Sequence, residues 1–220
     1  MDELITNGYV LYRNFFPKGL IEGLRKDIFK VFNLHTDKEL IDLYAKDFER
    51  YYDLAKKCGK LLSLHQTASC ELIFDALCKF GIGCPLVNTK PLVSFSCKSL
   101  SDNDYRYWKI PAHQDYESTW GTTNGLTCWV PLVDVDEELG PLEVIPGSHT
   151  NGLYEHISRY EIKDPVEGDF VSLPMNVGDA LFMSYFLVHR SGLNVRDDKI
   201  RLSVHFRYDD VFGKKWKASS

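Results

Sequence analysis

The stretch IRLSVHFRY, residues 200–208, decides the fold class. Successive side chains of an extended backbone alternate between faces. Arg201, Ser203, His205 and Arg207 therefore share one face, and Leu202, Val204, Phe206 and Tyr208 share the other. The apolar face belongs on a core. The polar face either meets solvent or lines the inside of a barrel. In the second arrangement Arg201 meets a carboxylate through its planar two-pronged guanidinium, and Ser203 adds a hydroxyl donor.

Similar runs precede it: PLVSFSC (91–97), YRYWKIPAH (105–113), GLTCWVPLVDV (125–135), PLEVIPG (141–147), DFVSLP (169–174) and GDALFMSYF (178–186). Each is β-branched or aromatic and bounded by Gly, Pro, Asn or Asp, the pattern of an antiparallel sandwich or jelly roll. The N-terminal part reads differently. GYVLYRNFF (8–16) alternates like a strand, and Pro17 opens a helix with Leu20, Leu24, Ile28 and Val31 on one face. Asp37–Lys56 and Lys60–Phe80 read as two further helices, the second carrying Leu61, Leu64, Leu72, Ile73 and Leu77. GIGCP (81–85) ends the helical part. The expectation is one domain over residues 1–220, mainly β with N-terminal helices. Residues 1–88 form a helical buttress, and 89–210 a double-stranded β-helix (jelly-roll, cupin-like) barrel.

The 220 residues are 44% hydrophobic and 26% charged, enough for a sizeable core. A net charge of −5 argues against general attraction to nucleic acid or an anionic membrane. No apolar run has bilayer-spanning length. The acidic start, Met1-Asp2-Glu3-Leu4, lacks a signal-peptide pattern, and the six cysteines show no CxxC. Reduced thiols in a cytoplasmic protein are expected. Oligomeric state is not written in the sequence.

Chemistry enters with His113-Gln114-Asp115 and, far downstream, His189. In a strand or strand end His113 and Asp115 point the same way, and a barrel can return His189 to them. Two imidazoles and one carboxylate on one face of an ion leave coordination positions open, the arrangement of non-haem Fe(II) oxygen chemistry. His189 follows the strand that starts at Gly178-Asp179 and precedes the turn-like Arg190-Ser191-Gly192. His35, His65, His149 and His156 read as structural or surface residues, and His205 as core or a neighbour of the ligands rather than a ligand. Tyr105, Tyr107 and Trp120, at loop edges flanking the HxD, are candidates to wall a substrate pocket.

Together HQD, CWVPLVDVDEELGPLEVIPGSH, GDALFMSYFLVHRSGLN and RLSVHFRY resemble the phytanoyl-CoA dioxygenase family, as does the opening GYVLYRNFFPKGLIEGL. The resemblance implies a 2-oxoglutarate-dependent oxygenase in which His113, Asp115 and His189 bind Fe(II). It implies that Arg201 holds the distal carboxylate of 2-oxoglutarate and that Trp129 and Ser191 contact this cosubstrate. It further implies consumption of O2 and release of succinate and CO2. Halogenating relatives have a small residue where Asp115 stands, so its carboxylate favours oxygenation. Asn194 is expected to fix the loop after His189. Nothing marks a pocket for coenzyme A phosphates, and the expected substrate is a small polar metabolite or biosynthetic intermediate.

Two other readings compete. One is a cupin-like metallohydrolase or isomerase using the triad with Zn or Mn, which has no need of a dicarboxylate anchor such as Arg201. The other is a non-catalytic jelly-roll binding protein, against which the intact triad argues.

Overall fold

Alternation along the last strand organises the molecule. All residues of Arg201–Asp210 are buried, so its polar face looks inward and not at solvent. The computed structural model describes residues 2–98 and 110–216. In chain order the strands are β1 (Tyr9–Tyr12), β2 (Pro85–Val87), β3 (Leu92–Ser96), β4 (Leu126–Pro131), β5 (Leu142–Val144) and β6 (His156–Ser158). They continue with β7 (Glu161–Ile162), β8 (Val171–Leu173), β9 (Ala180–Ser184), β10 (His189–Ser191) and β11 (Arg201–Asp210).

The major sheet runs β1-β9-β4-β11-β2, with β3 also paired to β11. The strand β11 is antiparallel to β4 over Ser203–Tyr208, to β3 over Arg201–His205 and to β2 over Tyr208–Asp210. A smaller sheet, β10-β5-β8, faces it, and β6 pairs with β7. The two main sheets enclose Trp129, Leu142, Val144, Leu173, Leu181 and Met183. This is the jelly roll expected from the sequence.

The other face of the major sheet carries Cys128, Val130, Phe182, Leu202, Val204 and Phe206, and the helices cover it. These are α1 (Asp2–Asn7), α2 (Lys18–Phe32), α3 (Asp37–Lys46), α4 (Phe48–Cys58), α5 (Leu62–Ala68) and α6 (Glu71–Lys79). A short α7 (Tyr116–Thr119) follows the HxD. In α2 the buried stripe is Ile21, Leu24, Ile28, Phe29 and Phe32, one position round from the expected face; Leu20 is 39% exposed.

Two expected helices are each divided. Asp47 breaks the first, its side chain accepting the Arg50 N–H to cap α4, while Thr36 and Glu39 form a capping box on α3. Ser69 and Cys70 separate α5 from α6, and Leu72 is solvent-facing. The expected strand 8–16 stops at Tyr12, before Asn14 takes a left-handed conformation. Among the described residues no helix is long and apolar enough to cross a membrane.

Candidate active site

The two triad histidines meet because the chain changes sheets between β9 and β10. GDALFMSYFLVH is not one strand: β9 ends at Ser184, and β10 starts at His189 in the smaller sheet. A single antiparallel bridge then joins His189 to His113, with backbone hydrogen bonds of 3.0 and 3.1 Å. Asp115 departs from the expected strand geometry. It sits in the right-handed helical region at the start of α7, where its side chain turns back toward the histidines. One ligand atom from each of His113, Asp115 and His189 lies within 4.8 Å of the others, and all three residues are buried.

Each side chain of the cluster is held from behind. The Nδ1 atoms of His113 and His189 are 2.9 Å from the Pro111 and Leu187 carbonyl oxygens, which leaves both Nε2 atoms facing Asp115. Such backbone acceptors fix the tautomer that presents Nε2 to a metal. Asp115 accepts from Arg207 Nη2 at 2.7 Å and from Thr127 Oγ1 at 2.6 Å. Gln114 points away, donating to the Gly152 and Phe186 carbonyls and accepting from the Tyr154 N–H. It pins the loop on which the HxD rides.

The electrostatics follow from burial. Burial pushes His113 down to about 3, with His189 adding to the effect, so its imidazole is neutral and ready to ligate at ordinary pH. Burial alone would raise the Asp115 carboxyl. The Arg207 guanidinium, with smaller help from His189, His113 and Thr127, outweighs this and holds it well below the usual carboxylate range. A carboxylate and two imidazole nitrogens are the donor set for a first-row divalent ion.

A second group of side chains shares the cavity wall: Trp129, Ser191, Arg201 and His205 line it with the triad. Arg201 is 4% exposed, and burial brings it down only to about 10, so it stays charged at neutral pH. It donates to the Gly140 carbonyl and to Ser191 Oγ at 3.2 Å, and no carboxylate faces it among the described residues. Its Nε and the Ser203 hydroxyl are buried without hydrogen-bond partners. Buried donors of this kind are costly unless something accepts from them, and a carboxylate does so. The residues therefore fit both a metal ion and a dicarboxylate.

A sequence model of the phytanoyl-CoA dioxygenase (PhyH) family matches residues 5–203. The chain belongs to the phytanoyl-CoA dioxygenase family. It is therefore an enzyme of the Fe(II)- and 2-oxoglutarate-dependent dioxygenase class. A probable phytanoyl-CoA dioxygenase of Caenorhabditis elegans is 23% identical over 233 residues, covering 93% of this chain and 73% of the relative. The phytanoyl-CoA dioxygenase of Arabidopsis thaliana is 24% identical over 255 residues, covering 98% and 89%.

Among solved structures, the epimerase SnoN in complex with Fe3+, alpha ketoglutarate and nogalamycin RO superposes with a TM-score of 0.69 at 20% identity. That match covers 100% of this chain and 85% of SnoN. The alpha ketoglutarate dependent carbocyclase SnoK gives 0.62 at 17% identity, covering 99% and 92%. At these identities the structures share the fold.

The expected residues are not all brought together. Ser203 is buried on β11 midway between the wall residues Arg201 and His205 but does not itself line the cavity. Trp120 lies elsewhere: at the left-handed end of α7 it is 61% exposed, its ring 6.3 Å from Tyr116. Tyr105 and Tyr107 lie outside the described residues. Asn194 donates to the Ser96 and Lys199 carbonyls and accepts from Arg196 N–H, tying down the loop after β10. Thr127 and Arg207 are the residues that sequence reasoning missed. They are cross-strand partners in the β4–β11 pairing, and that register lets both reach Asp115.

Proposed function

We propose that His113, Asp115 and His189 hold the iron of this oxygenase and that Arg201 anchors the distal carboxylate of 2-oxoglutarate. Ser191 and Trp129 would flank the cosubstrate, with Ser203 behind Arg201. The observation that carries this reading is a buried guanidinium with no counter-ion among the described residues, on the same cavity wall as a buried His/Asp/His cluster. When bound, iron with 2-oxoglutarate and O2 supplies the oxidising power to break a substrate C–H bond, releasing succinate and CO2.

The chain's own residues do the rest. Arg207 and Thr127 fix Asp115 so that its carboxylate needs no reorganisation to ligate. The backbone acceptors of His113 and His189 do the same for the imidazoles. Burial of all three keeps bulk water from the ion. The substrate is a small metabolite or biosynthetic intermediate, and hydroxylation is the favoured outcome. All six cysteines are free thiols, which supports a reducing, cytoplasmic setting.

The test is O2-dependent succinate formation from 2-oxoglutarate by protein loaded with Fe(II), Zn(II) or Mn(II). Turnover with Fe(II) alone, abolished in His189→Ala, is the expected result. Metal binding without succinate under any condition would return the metallohydrolase and binding-protein readings to the front.

A further inference from the structure

The metal pocket adjoins a second space. Leu92, Ser94 and Ile110 line it and also line an adjoining cavity of about 290 Å3 between α4 and the start of β3. Tyr160 joins the two from another direction. It lines the adjoining cavity, and its ring centroid is 6.0 Å from that of His113, edge to face. A molecule seated there meets Tyr160, whose ring packs edge-on against a triad histidine.

The wall has a definite chemistry. Tyr52 and Ala55 of α4 make one side, and Pro91 and Val93 the other. Lys56 and Lys90 stand at the exposed rim, and none of the described residues lining the cavity is acidic. Neither lysine has an ion-pair partner among the described residues; Lys56 Nζ rests 3.7 Å from the Tyr52 ring centroid. That contact holds one positive charge over the mouth. In a chain of net charge −5, a rim to which the described residues contribute two cations and no acid selects by charge.

We propose that this cavity is the substrate chamber. It takes a small molecule with an apolar or aromatic body and a terminal carboxylate or phosphate. Lys56 and Lys90 hold the anion at the rim, and the body extends past Ser94 toward the triad. The volume sits at the small end of ligand pockets and admits a body of about a dozen heavy atoms. The chemical class rests on the oxygenase reading of the neighbouring site; the anion preference rests on the chamber alone.

The experiment uses Fe(II)- and 2-oxoglutarate-loaded protein without O2, titrated calorimetrically with 4-phenylbutanoate, 4-phenylbutyl phosphate and the neutral 4-phenylbutan-1-ol. The visible iron–keto-acid band is recorded in the same samples. At least one anion should bind about tenfold more tightly than the alcohol, the effect of two partly solvated ion pairs, and the advantage should shrink with added salt. Lys56→Met/Lys90→Met should bring the preference below about threefold. Ala55→Trp, which fills the chamber, should abolish binding of all three. Neither change should alter the band.

Equal binding of alcohol and anions overturns the proposal, as does a preference that survives in the double variant. Binding of none of the three probes also overturns it. Absence of the band in the parent protein, with the charge preference present and lost on cue, would sink the oxygenase reading while upholding the anion-selective chamber.

Discussion

At the scale of single residues, the pairing of Arg207 with Asp115 has the sharpest consequences. Both groups are buried and 2.7 Å apart, so removing the cation strands a charge in a dry site. Arg207→Met should cost metal-free protein about 3 kcal/mol, seen in urea melts, and added Fe(II) should restore part of the loss by replacing the missing charge. His205 gives a pH signature. Burial, with Arg207 adding, pushes it down to about 3, against about 6.5 in an unfolded chain. Between those values the unfolded state binds more protons, so stability falls as pH drops through the window, by up to about 1.4 kcal/mol per pH unit for each such histidine. His113 behaves alike. In metal-free protein His205→Gln should make the decline between about pH 6 and 4 shallower; an unchanged slope would mean that His205 is charged in the native state.

At the scale of elements, register carries the site. The strand β11 sets His205 opposite Trp129 and Arg207 opposite Thr127, so one pairing builds both part of the cavity wall and the Asp115 clamp. Alternation within RLSVHFRY was legible in the sequence, and so were the HxD, His189 and Arg201 as a group. The clamp was not, because Thr127 and Arg207 meet only through a long-range pairing that no local pattern encodes. The geometry of Asp115 escaped for a related reason: its backbone is helical, not extended, so it reaches the histidines by a turn that the i, i+2 argument did not describe.

Gly140 shows how a turn serves the site. Its φ is +73°, a Cβ would lie 2.6 Å from the Asn194 nitrogen, and its carbonyl accepts from Arg201. Gly140→Ala should therefore destabilise the fold by about 1–3 kcal/mol. It should also raise the 2-oxoglutarate KM while iron affinity holds; an unchanged KM would detach this turn from the cosubstrate.

At the scale of the molecule, the helices and the barrel share one core. Ile28 and Phe32 of α2 lie in the same cluster as Phe95, Val204 and Phe206 of the major sheet. The sequence foretold this buttress in outline, but the division of its helices did not show: at Asp47 it rests on a single side-chain cap, and at Ser69-Cys70 no side-chain cap marks it. A shared core predicts one cooperative unit. Ile28→Ala, at a position with no exposure, should lower stability by about 2–4 kcal/mol in a single transition, with far-UV and aromatic signals moving together. Separate transitions would make the helical part a domain of its own.

The most direct test of the whole account is anaerobic addition of Fe(II) and then 2-oxoglutarate to metal-free protein, followed by visible absorption. The parent protein should develop the weak charge-transfer band of an iron-chelated keto acid. His189→Ala should show none, and Arg201→Met should need about a hundredfold more cosubstrate, the cost of losing a buried charge-assisted pair. Tight iron binding without the band, or a band indifferent to Arg201, would contradict the assignment of this cavity as the iron and 2-oxoglutarate site.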